Sequence, residues 1–239
     1  MKRALAAVLF AAPLAFAQVS QKPADAIVPV GGSTPGQSNA RFKTELQLTS
    51  RSDVASSGWL IFRPAGLVRR YELAAFATLS FADVVGEMGG SGLGSLDLLV
   101  DAGSLPAIVA RAYDDQPTGT TGVTVPAIAL DSILISSERG VLIAPRDLSR
   151  YRFNIGVRAI EAGATLDIIV RAANGTTRRS RSLTFGEHAF LQQPGNDFAG
   201  ITLQSDDSIE VRIAAGSAIV YATTVDNVTN DGVIQVLRR

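Results

Sequence analysis

The sequence predicts an all-β protein: two tandem antiparallel β-sandwich domains of immunoglobulin-like type after a signal peptide, with one short helix in the first. Three observations carry this. Apolar and polar residues alternate with period two along much of the chain. Short apolar runs are bounded by Gly, Pro and Asp turns. The second half also repeats the first: at a shift of 109, Arg41, Gly66, Arg69, Arg70 and Phe76 fall on Arg150, Gly175, Arg178, Arg179 and Phe185. A shift of 113 aligns Ser95–Leu98 with Ser208–Val211 and Gly103-Ser104 with Gly216-Ser217; past a two-residue gap Ala107-Ile108-Val109 meets Ala218-Ile219-Val220. A period this long denotes duplicated domains, not a solenoid.

In chain order, Lys2 and Arg3 precede an apolar stretch, Leu5 to Phe16, and Ala15-Phe16-Ala17 has the small-x-small pattern of a signal peptidase site. Cleavage is expected after Ala17, with an uncleaved anchor as the alternative. A lipoprotein is excluded by the lack of cysteine. The expected segments are 1–17 signal peptide, 18–26 flexible leader, 27–127 first sandwich and 128–239 second sandwich.

Ile27 to Val30 reads as a first strand. Phe42, Thr44, Leu46 and Leu48 point one way, with Lys43, Glu45 and Gln47 opposite. Tyr151, Phe153, Ile155 and Val157 repeat this against Arg152, Asn154 and Gly156, which make a wet face. Leu96, Leu98 and Val100, and later Ile209, Val211 and Ile213, alternate likewise. Asn174-Gly175 signals a type I′ hairpin, and Pro64-Ala65-Gly66 gives a looser turn at the equivalent place. Ser80 to Asp83 fits a capping box, and Phe81, Val84, Val85 and Met88 follow at helical spacing until Gly89-Gly90. Pro194 and Gly195 predict a shorter or absent helix in the second copy. Val123 to Ser136 has nearly continuous β-propensity, so the two copies should join without a linker and be closely coupled.

Composition narrows the function classes. The chain has 239 residues, 46% of them hydrophobic, with no cysteine, one histidine and 22 basic against 22 acidic residues. Removing Lys2 and Arg3 leaves 20 basic residues, a slightly acidic mature chain. Disulfide scaffolds, zinc ribbons, Fe–S sites, cysteine nucleophiles and polyhistidine metal centres are excluded. Nucleic acid is not an expected partner. No later apolar run is long enough for a membrane span, so none is expected after signal cleavage.

Two further stretches carry a resemblance. Val28-Pro-Val-Gly-Gly-Ser-Thr-Pro-Gly-Gln is followed by Arg41-Phe-Lys-Thr-Glu-Leu-Gln-Leu-Thr, and Ala218-Ile-Val-Tyr-Ala-Thr-Thr-Val-Asp-Asn-Val-Thr-Asn-Asp-Gly comes near the end. The mature chain resembles secreted bacterial proteins with tandem immunoglobulin-like sandwiches, largely of unknown function. The resemblance implies a fold and a location, not an activity. The second copy lacks the Thr-Pro-Gly element and has Ser137-Glu138-Arg139-Gly140 there instead.

Candidate chemistry is sparse. His188 is the single imidazole available to a Ser-His-Asp site. Its repeat counterpart is Leu79, no G-x-S-x-G elbow occurs, and a surface or half-buried structural histidine is the simpler reading. Gly89 to Gly94 lacks the strand before and helix after that a phosphate loop needs. No pair of carboxylates stands out for glycoside hydrolysis. Asp226, Asn227, Asn230 and Asp231 could hold Ca²⁺, but miss EF-hand spacing and also suit Asx turns. Trp59 reads as core rather than a sugar-stacking platform, and Asn174 and Asn227 begin sequons that read as turns.

Arg69, Arg70, Arg178 and Arg179 are the suggestive ligand-binding candidates. They occupy the same hairpin arm in both copies and could grip acidic groups in two-point fashion, or simply guard an exposed strand. The expectation is a secreted or periplasmic, non-enzymatic binding or structural protein without cofactor or metal. Its partner would be a surface polysaccharide or another envelope protein. The alternative is a carbohydrate- or calcium-binding module using these arginines or the Asp/Asn turns.

Overall fold

The computed structural model describes residues 22–36, 40–117 and 119–238. The expected signal peptide and its cleavage site lie outside the described residues. The chain is all-β, as its alternation predicts, with two antiparallel sheets and two short helices rather than one. No helix among the described residues is long and apolar enough to cross a membrane. The chain is held from Ala24, within the expected leader: Ala24 and Ala26 are buried, and Asp25 N–H donates to the Leu98 carbonyl.

The first sheet comprises β1 (Ala26–Pro35), β2 (Arg41–Thr49), β3 (Ser56–Arg63), β4 (Leu67–Leu73), β5 (Thr78–Phe81), β6 (Gly92–Ala102), β7 (Ala107–Gln116), β8 (Gly119–Val125) and β9 (Ile128–Ala129). Its order is β4-β3-β6-β1-β2-β7-β8, with β5 on β2 and β9 on β1. Strand β1 pairs with β6 up to Ser33, with a register shift after Val28, and passes to β2 at Thr34. It thereby joins two layers, and Val28, Leu46, Leu48, Phe62, Leu96 and Leu98 pack in one core.

The second sheet comprises β10 (Leu134–Ile135), β11 (Arg139–Ile143), β12 (Tyr151–Arg171), β13 (Thr177–Phe185), β14 (Phe190–Pro194), β15 (Ser208–Asp226) and β16 (Gly232–Val236). Strands β12 and β15, of 21 and 19 residues, pair along both their ends, with register shifts between Ala159 and Ala164 and between Thr165 and Leu166. One end carries β10, β14 and β16; the other carries β11 and β13. Phe153, Ile155 and Val157 from one end join Leu166, Ile168 and Val170 from the other in one core.

Sequence periodicity divides β12 and β15 each into two strands, whereas the structure runs them through. In the first sheet the equivalent breaks hold Ser50-Arg-Ser-Asp and Leu105-Pro106. The first breaks pairing by side-chain competition for the backbone, the second by a missing N–H. The second copy has Ile160-Glu-Ala-Gly and no proline at these places, so pairing resumes after a bulge. The aligned Gly103 and Gly216 both take positive φ at these corners, 79° and 73°. That conformation is nearly free to glycine alone, and it accounts for their match.

At the β12–β13 hairpin only Gly175 of the Asn-Gly pair has positive φ, and Gly175 N–H donates to the Ala172 carbonyl. The turn is therefore type I followed by a left-handed glycine, not type I′.

Helix α1 (Val84–Glu87) starts three residues later than the expected box. Ser80 and Phe81 are already paired in β5, so Asp83 becomes the N-cap and its Oδ1 accepts from Gly86 N–H at 3.1 Å. Helix α2 (Gly195–Ala199) is present, against expectation, and is the longer. Pro194 is its N-cap residue, where a missing N–H costs nothing, and Gly195 packs so closely on Phe153 that a Cβ would lie 2.6 Å from the ring.

The two sheets meet along β15. Ala218, Val220 and Ala222 face the second core. Between them, Tyr221 enters the first sheet's core, and Ile219 packs with Ile27, Ile128, Ile133 and Ile160. A strand buried on both faces reads as continuous apolar sequence, which is the form of Ala218 to Ala222.

Candidate functional site

Adjacent strand residues point to opposite faces, and this separates each arginine pair. Arg70 opposes Trp59, lies 5.4 Å from its ring and pairs with Glu72 at 3.0 Å. Arg69 lies on the other face, 4.6 Å from the Phe81 ring, and donates to the Glu87 carbonyl at 3.2 Å. Arg178 donates to Asp207 Oδ2 and to the Thr202 carbonyl. Arg179 is exposed on β13 and makes no ion pair among the described residues. The structure does not bring the four together.

His188 borders a buried ionic cluster between the sheets. Asp97 accepts from Arg63 Nε at 2.9 Å and from Arg158 Nη2 at 2.9 and 2.7 Å; both Asp97 and Arg158 are almost fully buried. Arg158 Nε also donates to Ser95 Oγ at 2.8 Å. The imidazole Nδ1 lies 3.3 Å from Arg158 Nη2, so its near neighbour is a cation rather than a nucleophile. Nε2 is buried without a hydrogen bond; Glu187 Oε1 stands 3.4 Å away without the geometry for one.

Burial, then Arg63 and Arg158, hold the His188 pKa below the ordinary 6.5. The unfolded chain therefore takes up this proton at higher pH than the folded chain. Stability should fall as pH drops below about 6.5 and stop falling below the folded pKa. Denaturant midpoints from pH 7.5 downward would measure this. His188→Asn should flatten the upper part of the dependence, since asparagine tolerates the residue's φ of 53°.

The Asp/Asn turn spends its oxygens on donors. Asp226 Oδ1 accepts from Val228 and Thr229 N–H, and Oδ2 accepts from Arg150 Nε at 2.9 Å. The Val228 bond, then Arg150, hold this carboxyl below its usual pKa. Among the described residues no group of three or more His, Asp or Glu side chains could hold a metal ion.

Beside this turn a cleft of about 290 Å³ opens at the seam between the sheets. Strand β2 supplies Phe42 and Lys43, β12 Arg152 and Asn154, β14 Gln192 and β15 Thr223. Arg152 and Asn154 are wet-face residues of the sequence pattern, turned here toward the first sheet. Arg152 donates from Nη1 to Asn227 Oδ1 at 3.1 Å and from Nη2 to Asn230 Oδ1 at 2.8 Å. Asn230 Nδ2 donates to Asp114 Oδ2 at 3.1 Å, which ties the turn to β7. Thr223 is 8% exposed and its Oγ1 has no hydrogen-bond partner. A buried hydroxyl without a partner costs free energy, so this atom marks a place where a ligand can contribute a bond.

Sequence reasoning missed this site. The one available signal was Thr223-Thr224 interrupting an apolar run opposite Asn154.

Neither a family model nor a curated protein matches the chain. A solved structure, the lectin from Pleurotus ostreatus in complex with GalNAc, is matched over 91% of this chain and 83% of that chain, at 10% identity and a TM-score of 0.24. Similarity at that level carries no inference about fold or ligand.

Proposed function

We propose that this chain is an exported, non-enzymatic binding protein of the periplasm or cell surface, built from two tandem sandwich domains, and that its ligand sits in the seam cleft. Export rests on Lys2, Arg3, the apolar Leu5 to Phe16 and Ala15-Phe16-Ala17. The tandem reading is supported by the aligned hairpins and corner glycines.

The observation that carries the binding reading is the buried, partnerless Thr223 hydroxyl in a cleft that also holds Arg152, Asn154 and Gln192. A concave site with apolar walls and a few convergent polar groups is the usual form of a ligand site. The described contacts of His188 and the Asp/Asn turn serve structure instead.

Thr223→Val tests the reading. It removes an unsatisfied buried hydroxyl, so the variant should be more stable than the parent by about 1 kcal/mol. It should also bind more weakly to an array of immobilised envelope polysaccharides and proteins. Unchanged binding to every array member retained by the parent would place the ligand elsewhere.

A further inference from the structure

We infer that the seam cleft takes an acidic sugar unit, a hexuronate, with its carboxylate on Arg152. This rests on the binding reading above and names the ligand of the same site.

Arg152 decides the charge. Its guanidinium is half-buried and donates to two neutral amide oxygens. No carboxylate lies within ion-pair distance of it among the described residues. Two N–H bonds of a possible five are thus used, and the positive charge is uncompensated. Lys43 lines the same cleft; its ion pair with Asp115, at 2.7 Å, is only half-buried, so water screens it and a ligand can exchange for it. Among the described residues no Asp or Glu lines the cleft. Arg152, a cation without a facing acid among the described residues, favours an anionic ligand, and a carboxylate fits its planar guanidinium fork.

The remaining lining decides the shape. Phe42, Val225 and Val233 give apolar wall, while Asn154, Gln192 and Thr223 place amides and a hydroxyl beside it. A pyranose ring has an apolar C–H face and a rim of hydroxyls, so it satisfies both kinds of surface. An aliphatic chain would leave Thr223 and the amides without partners. The Gln192 carbonyl already accepts from the Tyr221 hydroxyl at 2.9 Å, which fixes the orientation of its amide. A volume near 290 Å³ is at the lower end of ligand pockets, which run from about 300 to 1,000 Å³, and suits one or two rings.

Calorimetric titration of the full chain with trigalacturonate, monomeric galacturonate and the neutral galactose trisaccharide tests the assignment. Trigalacturonate should bind, and more weakly as salt is raised. The neutral trisaccharide should bind at least ~10-fold more weakly, the loss of one charge-assisted contact. Arg152→Gln should lose about the same factor, with its melting curve checked because Arg152 also holds Asn227 and Asn230. Lys43→Gln, at a half-buried position on the cleft rim, should lose a few-fold with its melting curve little changed. If the monomer binds as tightly as the trimer, the ligand is a free sugar acid; if the trimer wins, it is a polymer. Both support the carboxylate assignment. Equal affinity for acidic and neutral trisaccharides would overturn it and leave the cleft a neutral-sugar site. Absence of any binding to trigalacturonate at millimolar concentration would also overturn it, with the broader reading then judged by the Thr223→Val array.

Discussion

Replacing Asp97 by asparagine is expected to destabilise the protein by about 3–5 kcal/mol, because it leaves two buried guanidinium groups without their anion. Asp97 is 2% exposed and serves both Arg63 and Arg158. Arg158→Met should cost less. It removes one of two cations sharing a single carboxylate and leaves the Arg63–Asp97 pair balanced, though Ser95 and the Ala159 carbonyl lose a donor. The ranking is the informative part: chemical denaturation showing Arg158→Met more damaging than Asp97→Asn would mean that Arg158 acts mainly through its hydrogen bonds, not its charge. Burial pulls the Arg158 pKa down while Asp97 pulls it back, so the cation depends on that carboxylate.

Tyr221→Ala should cost a similar amount, about 3–5 kcal/mol, by opening a cavity where the two sheets share a core. Tyr221 is fully buried, belongs to the first sheet's core although it sits on β15, and donates to Gln192. Tyr221→Phe separates ring from hydroxyl and should cost only about 1 kcal/mol. The ring lies across Gly156, where an added Cβ would meet its Cζ at 2.0 Å. Gly156→Ala should therefore also destabilise, and its effect should shrink in a Tyr221→Ala background because the clash disappears. Additive effects in that double-mutant cycle would refute the packing argument.

These residues show what the sequence makes legible. The alternation of Phe42 to Leu48 and of Tyr151 to Val157 declares strands, because one face of each lies on a core of its own half. The glycine matches at 66 and 175, and at 103 and 216, declare repeated turns, because a positive φ constrains residue identity locally. The seam is not legible. Arg152, Asn154 and Gly156 have the polarity and smallness of a solvent face, yet they lie under the other sheet. The second helix was hidden because a proline and a glycine normally break helices, whereas here both occupy its start. The arginine pairs looked like forks because adjacency in sequence hides the opposition of faces along a strand. The cleft joins β2, β12, β14 and β15, and no local pattern records which distant strands are brought together.

The seam cleft is tested most directly as the ligand site by mapping chemical-shift changes on the isotope-labelled chain as trigalacturonate is added. Changes are expected at Thr223, at the side-chain amides of Asn154 and Asn230, and at Gly232 around the cleft, with β13 unaffected. Changes centred on Arg178 and Arg179 along β13 instead, with Thr223 unmoved, would contradict it and return the binding function to the strand-face arginines.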